Sequence, residues 1–416
     1  MKIAFLTLGC KLNYAETSTY ERGFKAAGLE VVPWNGQADV YLVNTCSVTS
    51  MSDSKSRNLV RKVHRVNPQA AVIVTGCSAE LRRSEIEAIE GVSRVFGAAE
   101  KHLVVSETLA MLGLPDPNGD EARKTGVFGA YSTGERTRSF LKVQDGCNNF
   151  CKYCTVPYAR GESRNIPISE VVCNARKIAA EGVKEVVLTG VNTGDFGRTT
   201  GESFLDLLKA LNEVEGIERY RISSIEPNLL SEEIVDWIAS GTKFQPHFHI
   251  PLQAGTDIIL KNMGRHYDTE FFARKIEYIR SRMERPGAPL VFFGIDVMVG
   301  LPGETEELFE QSRSFIEKVN PAFIHVFPYS RRPGTPAAEM PGQVAESEKK
   351  RRVEVLEELC VRLHSDFRER NRGIRERVLF ESTDRGGRME GYTGNYIRIE
   401  REYDPALVGK LVDVII

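Results

Sequence analysis

Three cysteines crowd one short stretch. Asp145-Gly-Cys-Asn-Asn-Phe-Cys-Lys-Tyr-Cys-Thr155 sets Cys147, Cys151 and Cys154 at a C-x3-C-x2-C spacing, close enough in sequence for all three to ligate one metal centre. A closed zinc site needs a fourth protein ligand, and no further Cys or His lies nearby. An iron–sulfur cluster, which soft thiolates select, fits better. Three ligands on a four-iron cluster leave one iron open. S-adenosylmethionine (SAM), one of the cofactors that carry radical chemistry, can chelate such an iron through its amino and carboxylate groups. A zinc knuckle is the competing reading.

Three more cysteines, Cys10, Cys46 and Cys77, are scattered, yet each directly follows an apolar strand signal: 2–8, 39–44 and 71–75. Helix signals at 13–27 and 52–66 alternate with these strands, which predicts a parallel α/β sheet over residues 1–112. Loops beyond the carboxyl ends of such strands converge on one crevice, so the three cysteines would meet there as a second thiolate set. Three buried apolar cysteines are the plainer alternative.

These motifs carry a resemblance. The cysteine loop, with Phe150 and Tyr153, looks like that of the radical-SAM superfamily. Thr7-Leu-Gly-Cys-Lys-Leu-Asn13, Asn44-Thr-Cys-Ser-Val-Thr49 and Thr75-Gly-Cys77 are similar to the three N-terminal motifs of the methylthiotransferases. The resemblance spans essentially the whole chain. It implies two [4Fe-4S] clusters, one on Cys147, Cys151 and Cys154 and one on Cys10, Cys46 and Cys77, with SAM as cofactor. One SAM would methylate a sulfur held at the second cluster. Another, at the first, would yield the radical that takes hydrogen from C2 of a tRNA adenosine. A sulfur donor and a reducing electron-transfer protein are implied as partners. Lys11-Leu-Asn13 and Gly391-Tyr-Thr-Gly-Asn-Tyr396 look most like the subgroup acting on N6-threonylcarbamoyladenosine at tRNA position 37; the isopentenyladenosine subgroup usually reads Gln-Met-Asn after the first cysteine. The alternatives are a ribosomal-protein aspartate as substrate and an iron–sulfur RNA-binding sensor without turnover.

Residues 113–137, rich in Gly, Pro and charge, read as a linker. From 138 to 372 the strand–helix alternation resumes. Six βα units predict a partial (β/α)6 barrel whose function sits on loops at the strand C-termini. Gly190 lets backbone approach a ligand, and Asn192 offers both donor and acceptor. The resemblance places this pair at the SAM amino group and Ser224 and Glu226 at its ribose. Phe150, Tyr153, Gln253, Asp296 and Arg265 are further candidates around the cofactor. Each turn alone also fits an ordinary strand end. Arg265 and Arg331 are candidate partners for the substrate carboxylate. Two positions depart from the family pattern: Ala254, where Gln-Ser-Gly is usual, and Glu162, where an Arg is usual.

Within 341–372, Val353, Leu356, Cys360, Leu363 and Phe367 make one apolar helical stripe, so Cys360 reads as core; Cys173 reads as packing too. Lys349 to Arg377 holds ten Lys and Arg against six Asp and Glu, a local basic surface suited to tRNA. Residues 373–416 carry strand signals at 378–382, 391–400 and 407–416, predicting a small OB-like β-barrel that resembles the TRAM domain. Tyr392–Arg398 would offer aromatics on which RNA bases stack; a structural or dimerising β domain is the alternative. The net charge of −2 excludes a uniformly basic nucleic-acid binder. No signal h-region or apolar run of membrane-spanning length is present, and with eight cysteines this points to the cytoplasm.

Overall fold

The computed structural model describes residues 1–47, 50–117, 127–134 and 137–416. Within the expected linker, residues 118–126 and 135–136 lie outside the described residues, as do Val48 and Thr49 of the second cysteine motif. The N-terminal strands are β1 (Lys2–Thr7), β2 (Glu30–Val32), β3 (Val40–Thr45), β4 (Ala71–Gly76) and β5 (Val92–Val95). They form a parallel sheet in the order β2-β1-β3-β4-β5. Period-two alternation sorts the side chains of β3 onto two faces. Tyr41 and Val43 pack with Val60 and Val63, while Val40 and Leu42 pack with Tyr20 and Phe24. Strand order reverses between β1 and β3, the topological switch point at which α/β sheets hold ligands. Helix α1 (Lys11–Ala26) begins directly after Cys10, and α3 (Cys77–Leu81) begins at Cys77 itself, after α2 (Ser50–Val66).

Six parallel strands follow: β6 (Arg138–Lys142), then, after the short antiparallel pair β7 (Gln144–Asp145) and β8 (Arg164–Asn165), β9 (Glu185–Thr189), β10 (Arg219–Ile222), β11 (His247–His249), β12 (Phe292–Val299) and β13 (Phe323–Pro328). They pair as β6-β9-β10 and β11-β12-β13, and the parallel bridges Tyr220↔Phe244 and Ser224↔His249 join the halves into the expected partial barrel. Leu141, Val186, Leu188, Ile222, Phe293 and Ile295 belong to the apolar core shared with the surrounding helices. Alternate positions such as Phe140, Val187, Arg221, His249, Gly294 and His325 line a cavity of about 1370 Å³. Many of these lining groups are polar, so the barrel encloses a site rather than a packed core. The helix expected from Leu230 starts at Glu232, because the Ser231 side chain accepts from the Ile234 amide and caps it.

The long helix Glu346–Arg370 buries Leu356, Leu359, Cys360, Leu363 and Phe367, and the Cys360 sulfur accepts from the Ile324 amide at 3.2 Å. Cys360 is therefore core. Cys173 is not: it is exposed on its helix. The last four strands, β14 (Arg375–Phe380), β15 (Arg388–Tyr392), β16 (Arg398–Glu402) and β17 (Leu411–Ile415), form an antiparallel sheet in the order β16-β15-β14-β17. The single strand expected over 391–400 is two strands with a turn between them. Thr393 Oγ1 accepts from the Ile397 amide at 2.8 Å, and buried Asn395 donates to Leu290 O at 3.0 Å and Asn371 Oδ1 at 2.9 Å. Such side-chain-to-backbone bonds compete with strand pairing. The turn is tucked against the barrel: Tyr396 lies beside His247, Phe292 and the Arg221 guanidinium.

Candidate active site

The cysteine loop leaves β7 through Gly146, at φ 73°, where a Cβ would lie 2.0 Å from the Glu162 carbonyl oxygen. That contact explains the glycine and makes position 162 a backbone partner; the Glu162 side chain itself is exposed. The Cys147 sulfur accepts from the Asn149 amide at 3.5 Å and the Cys154 sulfur from the Val156 amide at 3.4 Å. Arg265 Nη1 donates to the Cys151 sulfur at 3.0 Å. Donors aimed at three sulfurs are surroundings that would suit thiolate ligands. Burial pushes the Cys147 thiol up, and pushes Cys154 up to about 12. Phe150, at φ 46°, is exposed and meets Tyr158 edge-on, with ring centroids 6.0 Å apart.

Beside this loop, Gln144 Oε1 accepts from the amides of Val191 at 2.9 Å and Asn192 at 3.0 Å, holding the turn after β9. A Cβ on Gly190 would come within 2.9 Å of that oxygen. Asn192 is buried, and neither its side-chain nitrogen nor its oxygen has a partner among the described residues; the hydroxyls of Thr189 and Ser223 are likewise unpaired. Unsatisfied buried polar groups this close together fit a polar ligand such as SAM. Glu226 is gripped by Arg265, whose Nη2 lies 2.6 Å from its Oε1 and 2.9 Å from the Tyr267 hydroxyl; Arg265 Nη1 reaches the Tyr153 hydroxyl at 3.3 Å. Arg265 thus ties the cysteine loop to the β10 turn and is committed there. Arg331 is also directed elsewhere, donating to Ala338 O at 2.6 Å at an exposed turn. Gln253, at φ 68°, bonds through its backbone to Asp296 and Met298 of β12. Ala254 is buried, and the next amide, Gly255, donates to the Ser312 hydroxyl at 2.8 Å.

Cys10, Cys46 and Cys77 stand at the carboxyl ends of the adjacent strands β1, β3 and β4. Gly9, at φ 103°, packs against Cys46: a Cβ there would lie 3.0 Å from the Cys46 sulfur. Asn13 fastens these ends, donating to Leu8 O at 2.7 Å and Thr45 O at 3.0 Å. Its Oδ1 accepts from Arg160 at 2.6 Å, and Arg160 ends the helix that follows Cys154. Arg160 also reaches Asp145 at 2.9 Å and Glu16 at 3.3 Å. Lys101 and Lys142 each lie 2.8 Å from Glu16 Oε1, and Lys142 lies 2.7 Å from Asp145. This dry cluster of three cations and two carboxylates joins the two cysteine regions. Burial acts to raise the pKa of Glu16, but Lys101, Lys142 and Arg160 hold it well below the usual carboxylate range; Asp145 is held down the same way by Lys142 and Arg160.

Cys10, Gly190, Ser223 and Ser224 line the same central cavity, together with Lys11, His249 and His325. His249 Nε2 and Asp296 Oδ1 are 2.7 Å apart, and with His325 they form a group whose ligand atoms lie within 4.8 Å of one another. Burial lowers the pKa of Lys11, reinforced by Arg138 and Arg221 and opposed by Asp296 and Cys10. Sequence reasoning missed Gln144, Arg160, Arg221, His249 and His325. Period-two alternation along β10, β11 and β13 was the available signal for the last three.

The chain matches the Radical SAM superfamily over residues 141–316 and the Uncharacterized protein family UPF0004 over residues 2–97. It is 38% identical to a Bacillus subtilis protein named threonylcarbamoyladenosine tRNA methylthiotransferase MtaB, covering 99% of this chain and 93% of that one. A protein of the same name from Aquifex aeolicus is 37% identical over the full length of both chains. A tRNA-2-methylthio-N(6)-dimethylallyladenosine synthase from Carboxydothermus hydrogenoformans is 31% identical, covering 98% and 95%. Among solved structures, the radical S-adenosylmethionine methyltransferase TsrM from Kitasatospora setae has the same fold, with a TM-score of 0.57 at 15% identity over 81% of this chain and 77% of that one.

Proposed function

The chain belongs to the radical-SAM tRNA methylthiotransferase family, and from that premise we propose that it methylthiolates C2 of N6-threonylcarbamoyladenosine at position 37 of tRNA. The observation that carries this reading is the pair of cysteine sets, one at the switch point of the N-terminal sheet and one at the barrel rim, bridged by Asn13 and Arg160. Cys147, Cys151 and Cys154 are assigned to one [4Fe-4S] cluster and Cys10, Cys46 and Cys77 to a second. When bound, these clusters and SAM supply the radical and sulfur-transfer chemistry. The chain's own residues hold and orient. Asn192 gives its unpaired amide to the amino-acid end of SAM, and Gly190 admits that end to the backbone. Ser224 and Glu226 face the ribose, with Glu226 fixed in direction by Arg265. Phe150, Tyr153 and Gln253 complete the SAM surroundings. The barrel wall and the turn at 393–397 keep the adenosine dry and close, which protects a radical from side reactions.

The substrate follows from the same relatives, since the 36–38% identical ones carry the threonylcarbamoyladenosine name. A low-potential reductant and a sulfur donor are required partners, and the reaction belongs in the cytoplasm with tRNA. We assign residues 1–112 to the sulfur-presenting domain, 113–137 to a linker, 138–372 to the radical barrel and 373–416 to a TRAM-like domain that contacts tRNA. The test is a nucleoside mass spectrum of tRNA from a strain lacking the gene. The 2-methylthio form should vanish and its unthiolated precursor accumulate; an unchanged spectrum contradicts the assignment.

A further inference from the structure

Six Lys and Arg side chains line the central cavity beside Cys10, and among the described residues only Lys11 and Arg368, the latter on the long helix away from Cys10, make no hydrogen bond or ion pair. Arg221 donates to Glu185 at 2.7 Å and to the carbonyls of Thr393 at 2.8 Å and Gly394 at 2.7 Å. Arg138 is held by Glu381 and by the Tyr396 hydroxyl at 2.8 Å. Lys11 differs. It lines the cavity from the first turn of α1, its side chain is accessible from within that space, and it has no hydrogen bond or ion pair among the described residues. The carboxylate that acts on it electrostatically, Asp296, is already engaged by His249 at 2.7 Å. An unpaired ammonium facing a cavity of about 1370 Å³ is open to an anion that enters it.

On the reading that the substrate is N6-threonylcarbamoyladenosine, one anion sits on the modified base itself, the carboxylate of its threonyl group. We infer that Lys11 binds that carboxylate, and that His249 and His325, their rings 5.0 Å apart in the same cavity, receive the neutral hydroxyl and urea groups beside it. His249, Asp296 and His325 also have the spacing of a metal triad. The Lys11 ammonium lines the same cavity and would repel a cation there. Because Lys11 directly follows Cys10, its contact with the threonyl group would also fix the distance between the base and the sulfur-presenting cysteines. It is a specificity-determining residue in this scheme, and a pocket holding an unmet charge rejects a neutral side chain.

The experiment compares two tRNAs with iron-replete enzyme, SAM and reductant: one carrying the natural modification and one in which the threonyl carboxylate is replaced by a carboxamide of the same shape. Wild type should lose about 10- to 100-fold in kcat/KM on the carboxamide, the range of a charged hydrogen bond. Lys11→Gln should lose a similar factor on the natural tRNA and show little further loss on the carboxamide, whereas Lys11→Arg should recover part of the discrimination. A purely structural role for Lys11 would lower both substrates equally and leave the discrimination intact, which overturns the inference. So does a wild type that uses both tRNAs equally well, a comparison that requires no variant to fold. Failure of wild type on the natural tRNA would instead contradict the proposed function on which this inference rests.

Discussion

Replacing Glu16 by Gln tests the joint between the two cysteine regions. Glu16 Oε1 takes Lys101 and Lys142 at 2.8 Å and Arg160 at 3.3 Å, and all four side chains are almost wholly buried. At an effective dielectric of about 20, each lysine pair is worth roughly 6 kcal/mol before desolvation. Desolvation offsets much of this, and removing one member of a buried ion cluster costs about 3–5 kcal/mol. At roughly 1 °C per kcal/mol for a chain of 416 residues, thermal unfolding followed by circular dichroism at pH 7 should move down by about 3 °C or more. The pH dependence has a definite sign. Burial favours protonated Glu16, but the three cations outweigh it and depress its folded pKa. A depressed carboxylate contributes fully above its unfolded pKa of about 4.3 and loses that contribution only as pH falls through the folded value. The gap between wild type and Glu16→Gln should therefore stay constant from pH 8 to pH 6. Because the cluster holds Arg160 on Asn13, the variant should also cleave SAM with less methylthiolation per cleavage. An unchanged unfolding temperature, or a gap that shrinks between pH 8 and pH 6, would refute the reasoning.

Substituting Cys147, Cys151 and Cys154 together by Ala should leave about half the iron, as two equal thiolate-held clusters require, and abolish SAM cleavage. Substituting Cys10, Cys46 and Cys77 should leave the same fraction with SAM cleavage intact and no methylthio product. Iron analysis and detection of 5′-deoxyadenosine check both. Asn192→Ala should weaken SAM binding by about tenfold, while SAM-free stability stays level or rises because two unpaired buried atoms are removed; calorimetry and thermal melts read the two effects. A chain ending at Asn371 should lose thermal stability as well as tRNA affinity, because Arg221 loses the Thr393 and Gly394 carbonyls and Asn371 loses Asn395. The full chain's tRNA affinity should fall with salt as phosphate contacts release counterions.

The cysteine loop, the parallel sheet and the six barrel strands were legible because each rests on local signals: ligand spacing, apolar runs and cap residues. The glycines at 9 and 146 are legible as glycines, but the close approaches that require them involve Cys46 and Glu162, remote in the chain. Arg265 reads as one more rim cation, yet in the fold it is occupied by Glu226, Tyr267 and Cys151, while Lys11 makes no hydrogen bond or ion pair among the described residues. No local pattern tells a committed charge from an unpaired one, since the partners lie tens to hundreds of residues away. Cys173 misleads for a related reason: a helical cysteine is buried only if its face meets a neighbour, and this one does not. The tail's apparent strand 391–400 carries β-prone Tyr, Thr and Ile, but Thr393 and Asn395 turn it back onto the barrel.

The most direct test of the account offers reconstituted enzyme, with SAM, sulfide and reductant, two tRNAs in parallel. One carries threonylcarbamoyladenosine and the other isopentenyladenosine at position 37, and the digested nucleosides are read by mass spectrometry. The account predicts the 2-methylthio product on the threonylcarbamoyl tRNA, dependent on all six cysteines at 10, 46, 77, 147, 151 and 154. Methylthiolation of the isopentenyl tRNA alone, or product formation that survives loss of Cys10, Cys46 and Cys77, would contradict it.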